Sequence, residues 1–314
     1  MAKFSPLFWP VELKGKVISI LDETLLPAKL GYIKVRDYKG SCRAIKEMKT
    51  RAVGQVLLVF YTFLLVVRQN KRAKNLLPIL EKVAKAINAT RPTLSFKFMT
   101  DMILGWAAAG KPLEQSILGF LEVLKAGRIK QAEEASNLIL GGDTILTHCN
   151  ISGLMPLIAE FCRKQRKKIK FMVTETRPYL QGARLTAWEL NRAGFDVTVI
   201  ADNMVAYVLS EGKVNKVIVG ADHLTRNGDI ANKIGTYQIA LLAKHFSIPF
   251  YVICPPASGL NSGKEIKIEI RPAEELLMFC HTRLAPQGVK GYYPAFDVTP
   301  SELITKHIHL GVGK

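Results

Sequence analysis

A thiol and an imidazole stand side by side in "DTILTHCNISG" (143–153), where the apolar pair Ile145-Leu146 gives way to Thr147-His148-Cys149-Asn150. Three more apolar runs end on polar groups. "IKFMVT" (169–174) leads into Glu175, Thr176 and Arg177, with Gln181 beyond. "VTVIA" (197–201) leads into Asp202 and Asn203, and "VIVG" (217–220) into Ala221, Asp222 and "RNGDIANK" (226–233). A thiol, a carboxylate and several cations, if brought together, suit proton transfer on a phosphorylated sugar. Arg and Lys hold the phosphate, and two acid–base groups work on opposite sides of the carbon skeleton. Burial lifts a carboxyl toward neutrality, and a free thiol starts at about 8.5. Taken singly, each residue has a structural reading. Cys is a small hydrophobe, Asp202 suits a helix N-cap, and Glu175 with Arg177 suits an ion pair. His148 and His223 suit hydrogen-bonding core positions.

Other chemistries lack their patterns. No G-x-G-x-x-G follows a strand, and no G-x-x-x-x-G-K-[ST] or nucleophile-elbow serine is present. No H-x-x-x-H or Cys/His cluster marks a metal, so neither metal nor cofactor is expected. The five cysteines, at 42, 149, 162, 254 and 280, form no C-x-x-C pair and fit a reducing, cytoplasmic setting. No leader is legible in "MAKFSPLFWP". The longest uncharged apolar run, "VLLVFYTFLLVV" (56–67), is 12 residues long; a span needs about 20, so it reads as a buried core helix and no membrane partner is expected. The net charge of +18 raises nucleic acid as a partner. Much of that charge lies in "RQNKRAK" (68–74) and "RKQRKKIK" (163–170), without interleaved aromatics or a nucleic-acid motif. A solvated face, the second run sitting at a helix C-terminus, outranks a nucleic-acid patch; attraction of an anionic substrate is a third reading.

The elements that must position these groups follow from periodicity. Residues 17–22 and 26–35 read as strands, and Ser41 as an N-cap for a helix over 41–48. Helices are expected over 53–67, 75–87, 96–109, 112–126 and 129–138. After Gly141-Gly142, strands at 144–147, 169–174, 197–201, 217–220 and 249–254 alternate with helices over 154–166, 182–193, 203–209 and 231–246. That alternation predicts a parallel sheet covered on both faces. The expected fold is α/β, with a mostly helical N-terminal domain (1–128, opening on a small β-element) and a doubly wound, Rossmann-like C-terminal domain (129–314). In such a sheet ligands bind beyond the carboxyl ends of the strands, where these polar groups stand.

"TETRPYLQGARLTAWEL" (174–190), "ILDETLLPAKLGYIKV" (20–35), "AIKEMKTRAVG" (44–54), "ATRPT" (89–93), "ILTHCN" (145–150), "GADHLTRNGDIANKIGTYQIALLAKH" (220–245) and "YYPAFDVTPSELIT" (292–305) occur in one order over nearly the whole chain. Together they resemble the S-methyl-5-thioribose-1-phosphate isomerase family of methionine salvage. Its superfamily also holds ribose-1,5-bisphosphate isomerase and the regulatory subunits of translation initiation factor 2B. The resemblance implies a metal-independent aldose–ketose isomerase acting on a 5-modified ribose 1-phosphate, as a homodimer. By position it makes Cys149 the catalytic cysteine and Asp222 the catalytic acid. Arg51, Ala52, Val53, Arg91, Gln181, Asn232 and Lys233 fall on substrate-binding positions, with Lys233 expected at a helix start. Each has a plain rival: a surface cation for Arg51 and Arg91, a helix cap for Gln181, a solvated helix face for Lys233.

The chain departs from the family twice. The phosphate loop, usually R-G-A-P-A, reads Arg51-Ala52-Val53-Gly54-Gln55, bulkier where small residues admit an anion to backbone N–H groups. The Gly-rich extension after the cysteine is missing, as in the bisphosphate isomerase and the initiation-factor subunits. Three functions therefore compete: the methylthioribose enzyme, a ribose-1,5-bisphosphate or 5-deoxyribose-1-phosphate isomerase, and a non-catalytic sugar-phosphate or nucleotide sensor.

Overall fold

The computed structural model describes residues 4–91, 96–280 and 282–311. The chain divides into two compact units, Phe4–Gly127 and one that begins at Arg128. One helix, α5, runs through that division.

The amino-terminal unit opens on an antiparallel sheet of β1 (Val11–Lys14), β2 (Val17–Leu21) and β3 (Tyr32–Val35). Helices α1 (Tyr38–Lys46), α2 (Val53–Gln69), α3 (Leu77–Asn88), α4 (Lys97–Ala108) and α5 (Leu113–Asn137) follow. Asp37, not Ser41, starts α1: its carboxylate accepts the Gly40 N–H at 2.7 Å, and Ser41 is buried within the helix. The apolar run at 56–67 makes α2 the unit's central helix, buried on nearly every side. Burial of Phe60 and Phe63 stabilises the unit by roughly 1.5–3 kcal/mol each, and Phe60 stacks on Phe120 with centroids 4.4 Å apart. No helix among the described residues is long and apolar enough to cross a membrane.

The carboxy-terminal unit is doubly wound, as the alternation predicts. Strands β4 (Thr144–Thr147), β5 (Lys170–Thr174), β6 (Asp196–Ile200) and β7 (Lys216–Gly220) come first. After the short strands β8 (His223–Leu224) and β9 (Ile230–Lys233) comes β10 (Phe250–Cys254). The small hairpin β11 (Met278–Phe279) and β12 (Thr282–Arg283) precedes β13 (Phe296–Thr299) and β14 (Lys306–His309). Six of these form one parallel sheet in the order β14-β10-β7-β4-β5-β6, and β13-β9-β8 form a small antiparallel one. The chain enters at β4, moves outward to β5 and β6, then returns past β4 to β7, β10 and β14. Right-handed crossovers thus put α6 (Leu154–Lys164) and α7 (Ala187–Arg192) on one face, and α8 (Val205–Ser210) and α9 (Thr236–His245) on the other. On the latter face Val205, Val208, Ile239 and Ala243 pack on Val217, Val219 and Val252. The short helix α10 (Glu274–Leu277) follows β10. Gln131, on α5, donates to the Cys254 and Ile308 carbonyls at 2.8 and 2.9 Å, fixing the ends of β10 and β14.

Several expected elements change. The helices expected over 112–126 and 129–138 are one continuous α5, because helix propensity carries through the lone Gly127. The segment expected as helix over 231–246 begins as strand β9, and α9 starts only at Thr236, after Gly235 turns the chain at φ 101°. The helix expected over 182–193 opens with a wide turn, Gly182–Thr186. A Cβ on Gly182 would sit 1.8 Å from the Thr174 carbonyl oxygen, so no larger residue fits there.

Candidate active site

The sheet reverses its winding between β4 and β7, and this switch point is where an open α/β sheet leaves a crevice. The two strands are parallel neighbours, with Ile145 opposite Lys216 and Leu146 opposite Val217; such strands lie about 4.8 Å apart. Cys149 comes two residues after β4 ends and Asp222 two residues after β7 ends. The loop after β4 lies over the end of β7, since a Cβ on Gly220 would meet the Ile151 side chain at 3.3 Å. Thiol and carboxyl therefore extend from adjacent strand ends. Asp222 is fixed there by its N–H, which donates to the Ala231 carbonyl of β9 at 2.9 Å.

Cys149 adopts φ 64°, a left-handed conformation that costs a non-glycine residue on the order of 1–3 kcal/mol. Its surroundings hold it there. The Cys149 N–H donates to Thr176 Oγ1 at 3.0 Å, and the Thr186 hydroxyl donates to the Cys149 carbonyl at 2.6 Å. Asn150 Nδ2 donates to Thr186 Oγ1 and Glu189 Oε1 at 3.0 and 2.8 Å, while its Oδ1 accepts the Ser152 N–H at 2.9 Å. Thr176 also has a positive φ, 64°. Its N–H and that of Arg177 donate to the two Asp202 carboxylate oxygens at 2.7 and 2.6 Å. Asp202 therefore anchors the loop after β5 and is not an N-cap of the helix that follows it.

His148 is buried. Its Nε2 lies 2.9 Å from the Ile234 carbonyl, which can only accept, so Nε2 carries the proton; Nδ1 accepts from the Thr174 hydroxyl at 2.6 Å. Burial holds this imidazole's pKa below its ordinary value and keeps it neutral.

Asn232 and Lys233 lie on strand β9, not at a helix start, and both are buried. Asn232 Nδ2 donates to Thr236 Oγ1 at 3.0 Å. Lys233 Nζ donates to the Tyr293 hydroxyl at 3.3 Å and lies over the Tyr293 and Phe296 rings, 5.6 and 5.0 Å from their centroids. The Asp297 carboxylate accepts the Gly235 and Tyr237 N–H groups at 2.7 and 3.1 Å, and burial lifts its pKa to about 6. Gln181 is 5% exposed, makes no side-chain cap, and its buried Oε1 has no hydrogen-bond partner. Tyr293 escaped sequence reasoning. It is buried, and burial first, then the Glu275 carboxylate, raises its pKa, with Arg271 opposing and Cys149 contributing to the rise. Its signal was "YYP", where one of two adjacent tyrosines faces inward.

In the amino-terminal unit, buried Glu23 accepts from the Thr50 hydroxyl at 2.7 Å, the Arg51 N–H at 3.0 Å and Arg51 Nε at 3.3 Å. Ala52, with φ 43° and ψ −120°, precedes α2 and gives it no side-chain cap. Val53 is the first residue of that helix. Gly54 is obligatory, because a Cβ there would lie 1.8 Å from Thr50 Oγ1. Arg91 Nη1 lies 3.1 Å from Met48 Sδ. Pro92, which marked the turn at Arg91 in the sequence, lies outside the described residues.

Residues 54–312 match the Initiation factor 2 subunit family. A methylthioribose-1-phosphate isomerase of Fervidobacterium nodosum is 38% identical, over 94% of this chain and 91% of that protein. One from Dehalococcoides mccartyi is 36% identical, over 95% of this chain and 96% of that protein. Among solved structures, the 5-methylthioribose 1-phosphate isomerase of Pyrococcus horikoshii superposes with a TM-score of 0.82 at 32% identity, covering 98% of this chain and 93% of that one. The delta subunit of translation initiation factor eIF-2B from A. fulgidus superposes with a TM-score of 0.83 at 34% identity, covering 96% and 94%.

Proposed function

The chain belongs to the Initiation factor 2 subunit family, and from that premise we propose that it is an aldose–ketose isomerase of methionine salvage, converting S-methyl-5-thioribose 1-phosphate to the ribulose 1-phosphate. The observation that carries this reading is the pairing of Cys149 and Asp222 beyond neighbouring strands at the switch point of the sheet. The fold alone does not choose between an enzyme and an initiation-factor subunit, since solved structures of both names share it. The similar curated proteins favour the isomerase.

The reaction is an internal oxidation and reduction and needs no outside oxidant. The ring oxygen O4 gains a proton as its bond to C1 breaks. The hydrogen on C2 moves to C1, and the C2 hydroxyl loses its proton as the C2 carbonyl forms. One proton is taken up at O4 and one released at O2, so a single carboxyl can supply the first and accept the second; Asp222 has this role. Cys149 stands at the C1–C2 face. Gln181 Oε1 accepts a sugar hydroxyl, and Asn232 and Lys233 hold the substrate from β9. The family pattern assigns Arg51, Ala52 and Val53 to the phosphate loop and Arg91 to substrate binding. The protein works as a cytoplasmic homodimer.

The test is a coupled assay of the purified protein with S-methyl-5-thioribose 1-phosphate and with ribose 1,5-bisphosphate. Turnover of the first, lost in Cys149→Ser and Asp222→Asn, supports the reading. Turnover of the bisphosphate alone transfers the site to another sugar. Tight binding of a sugar phosphate without turnover makes the chain a sensor.

A further inference from the structure

Two turns carry the proposed chemistry, and one side chain joins them. The Cys149 turn follows β4; the Ile234–Gly235 turn follows β9 and comes immediately after Asn232 and Lys233. The Ile234–Gly235 peptide is held at both ends: its oxygen accepts from His148 Nε2, and its N–H donates to Asp297. On the other side of the ring, the Thr174 hydroxyl donates to His148 Nδ1, and Thr174, at the end of β5, is tied to the Cys149 turn through Thr176. Thr176 Oγ1 donates to the Thr174 carbonyl at 3.2 Å and accepts the Cys149 N–H at 3.0 Å. Gly235, at φ 101°, is in a conformation that favours glycine, and a Cβ there would press on the ring at 3.3 Å. The ring is not simply packing filler. It borders a cavity of about 160 Å³, lined also by Asp202, Asn203, Gln238 and Ile239.

We propose that His148 is a positioning residue that locks the Cys149 turn to the Ile234–Gly235 turn beyond Asn232 and Lys233, Nε2 holding that turn and Nδ1 reaching the Cys149 turn through Thr174 and Thr176. This rests on the functional reading above, in which thiol and ammonium serve one substrate. The two arms of the lock separate by substitution. Asparagine places a polar atom where Nδ1 was and keeps the Thr174 partner. Glutamine places one where Nε2 was and keeps the Ile234 partner.

Peptide-resolved hydrogen–deuterium exchange, thermal midpoints and steady-state kinetics of the full-length variants test the lock. In His148→Asn, exchange over residues 232–238 rises about tenfold, as for one lost hydrogen bond. KM rises by a similar factor, while residues 147–152 stay within twofold of wild type. In His148→Gln the pattern inverts: residues 147–152 exchange about tenfold faster and kcat falls about tenfold, with KM within twofold. Any other pattern overturns the proposal, including both segments loosening together with the thermal midpoint, or neither moving. If the wild-type protein turns over no sugar phosphate, the functional reading fails by itself, and the exchange pattern alone decides the lock.

Discussion

Two turns at positive φ, one after β4 and one before α2, are held in opposite ways. The Cys149 turn, φ 64°, is fixed on both sides of its peptide by Thr176 and Thr186, with Asn150, Glu189 and Asp202 behind them. The Ala52 turn, φ 43°, has no side-chain cap; its order comes from Glu23, through the neighbouring residues Thr50 and Arg51. In the first, a strained backbone is over-determined by buried hydrogen bonds, the arrangement expected where geometry serves chemistry. In the second, alanine occupies a backbone conformation that glycine adopts freely. That is also the position at which the family's phosphate loop usually has glycine.

The contrast can be broken at several points. The largest effect is expected at the chemical groups. Cys149→Ser and Asp222→Asn should each lower kcat about 10²–10⁴-fold, with thermal midpoints near wild type, measured by the coupled assay and by calorimetry. Next comes the outside support of the Ala52 turn. Glu23→Ala removes the partner of the part-buried Arg51 guanidinium and of the buried Thr50 hydroxyl and should destabilise the protein by about 2 kcal/mol in urea unfolding. A loss below 0.5 kcal/mol would mean that the turn stands without Glu23. Thr176→Val removes the acceptor for the Cys149 N–H and should cost about 1–2 kcal/mol, with a fall in kcat larger than that loss of stability explains. Equal stability and activity would show that the Cys149 turn holds itself. The smallest change is a gain: Ala52→Gly should relieve the strained φ and stabilise the protein by about 1 kcal/mol. A destabilisation of that size would contradict the strain.

The carboxy-terminal sheet was legible because its strands are short β-branched runs buried on both faces, as in β4, β7 and β10. Strand β14 was not: "KHIH" lies at the sheet edge with two exposed residues and has no apolar alternation to betray it. Strand β9 reads as helix in the sequence because "IANKIGTYQIALL" continues into α9 without a proline, and the φ of Gly235 separates the two. That reading places Lys233 at a helix start, when it is a buried strand residue whose ammonium lies over two aromatic rings. Strand-end residues such as Cys149 and Asp222 are adjacent in the sequence pattern to runs that can be read. The threonines that hold the turn, Thr174, Thr176 and Thr186, are silent in sequence, because a buried hydroxyl looks like any other threonine until its partner is placed. Tyr293 was hidden for the same reason.

The proposed reaction requires the Cys149 thiol and the Asp222 carboxyl to face the same two carbons of one sugar. A crystal structure of the protein with the ribulose 1-phosphate product bound tests it most directly. C1 and C2 should lie between Cys149 Sγ and the Asp222 carboxylate, with the carboxylate within hydrogen-bond reach of O2 or O4. Product bound with either group turned away from C1 and C2 would contradict it.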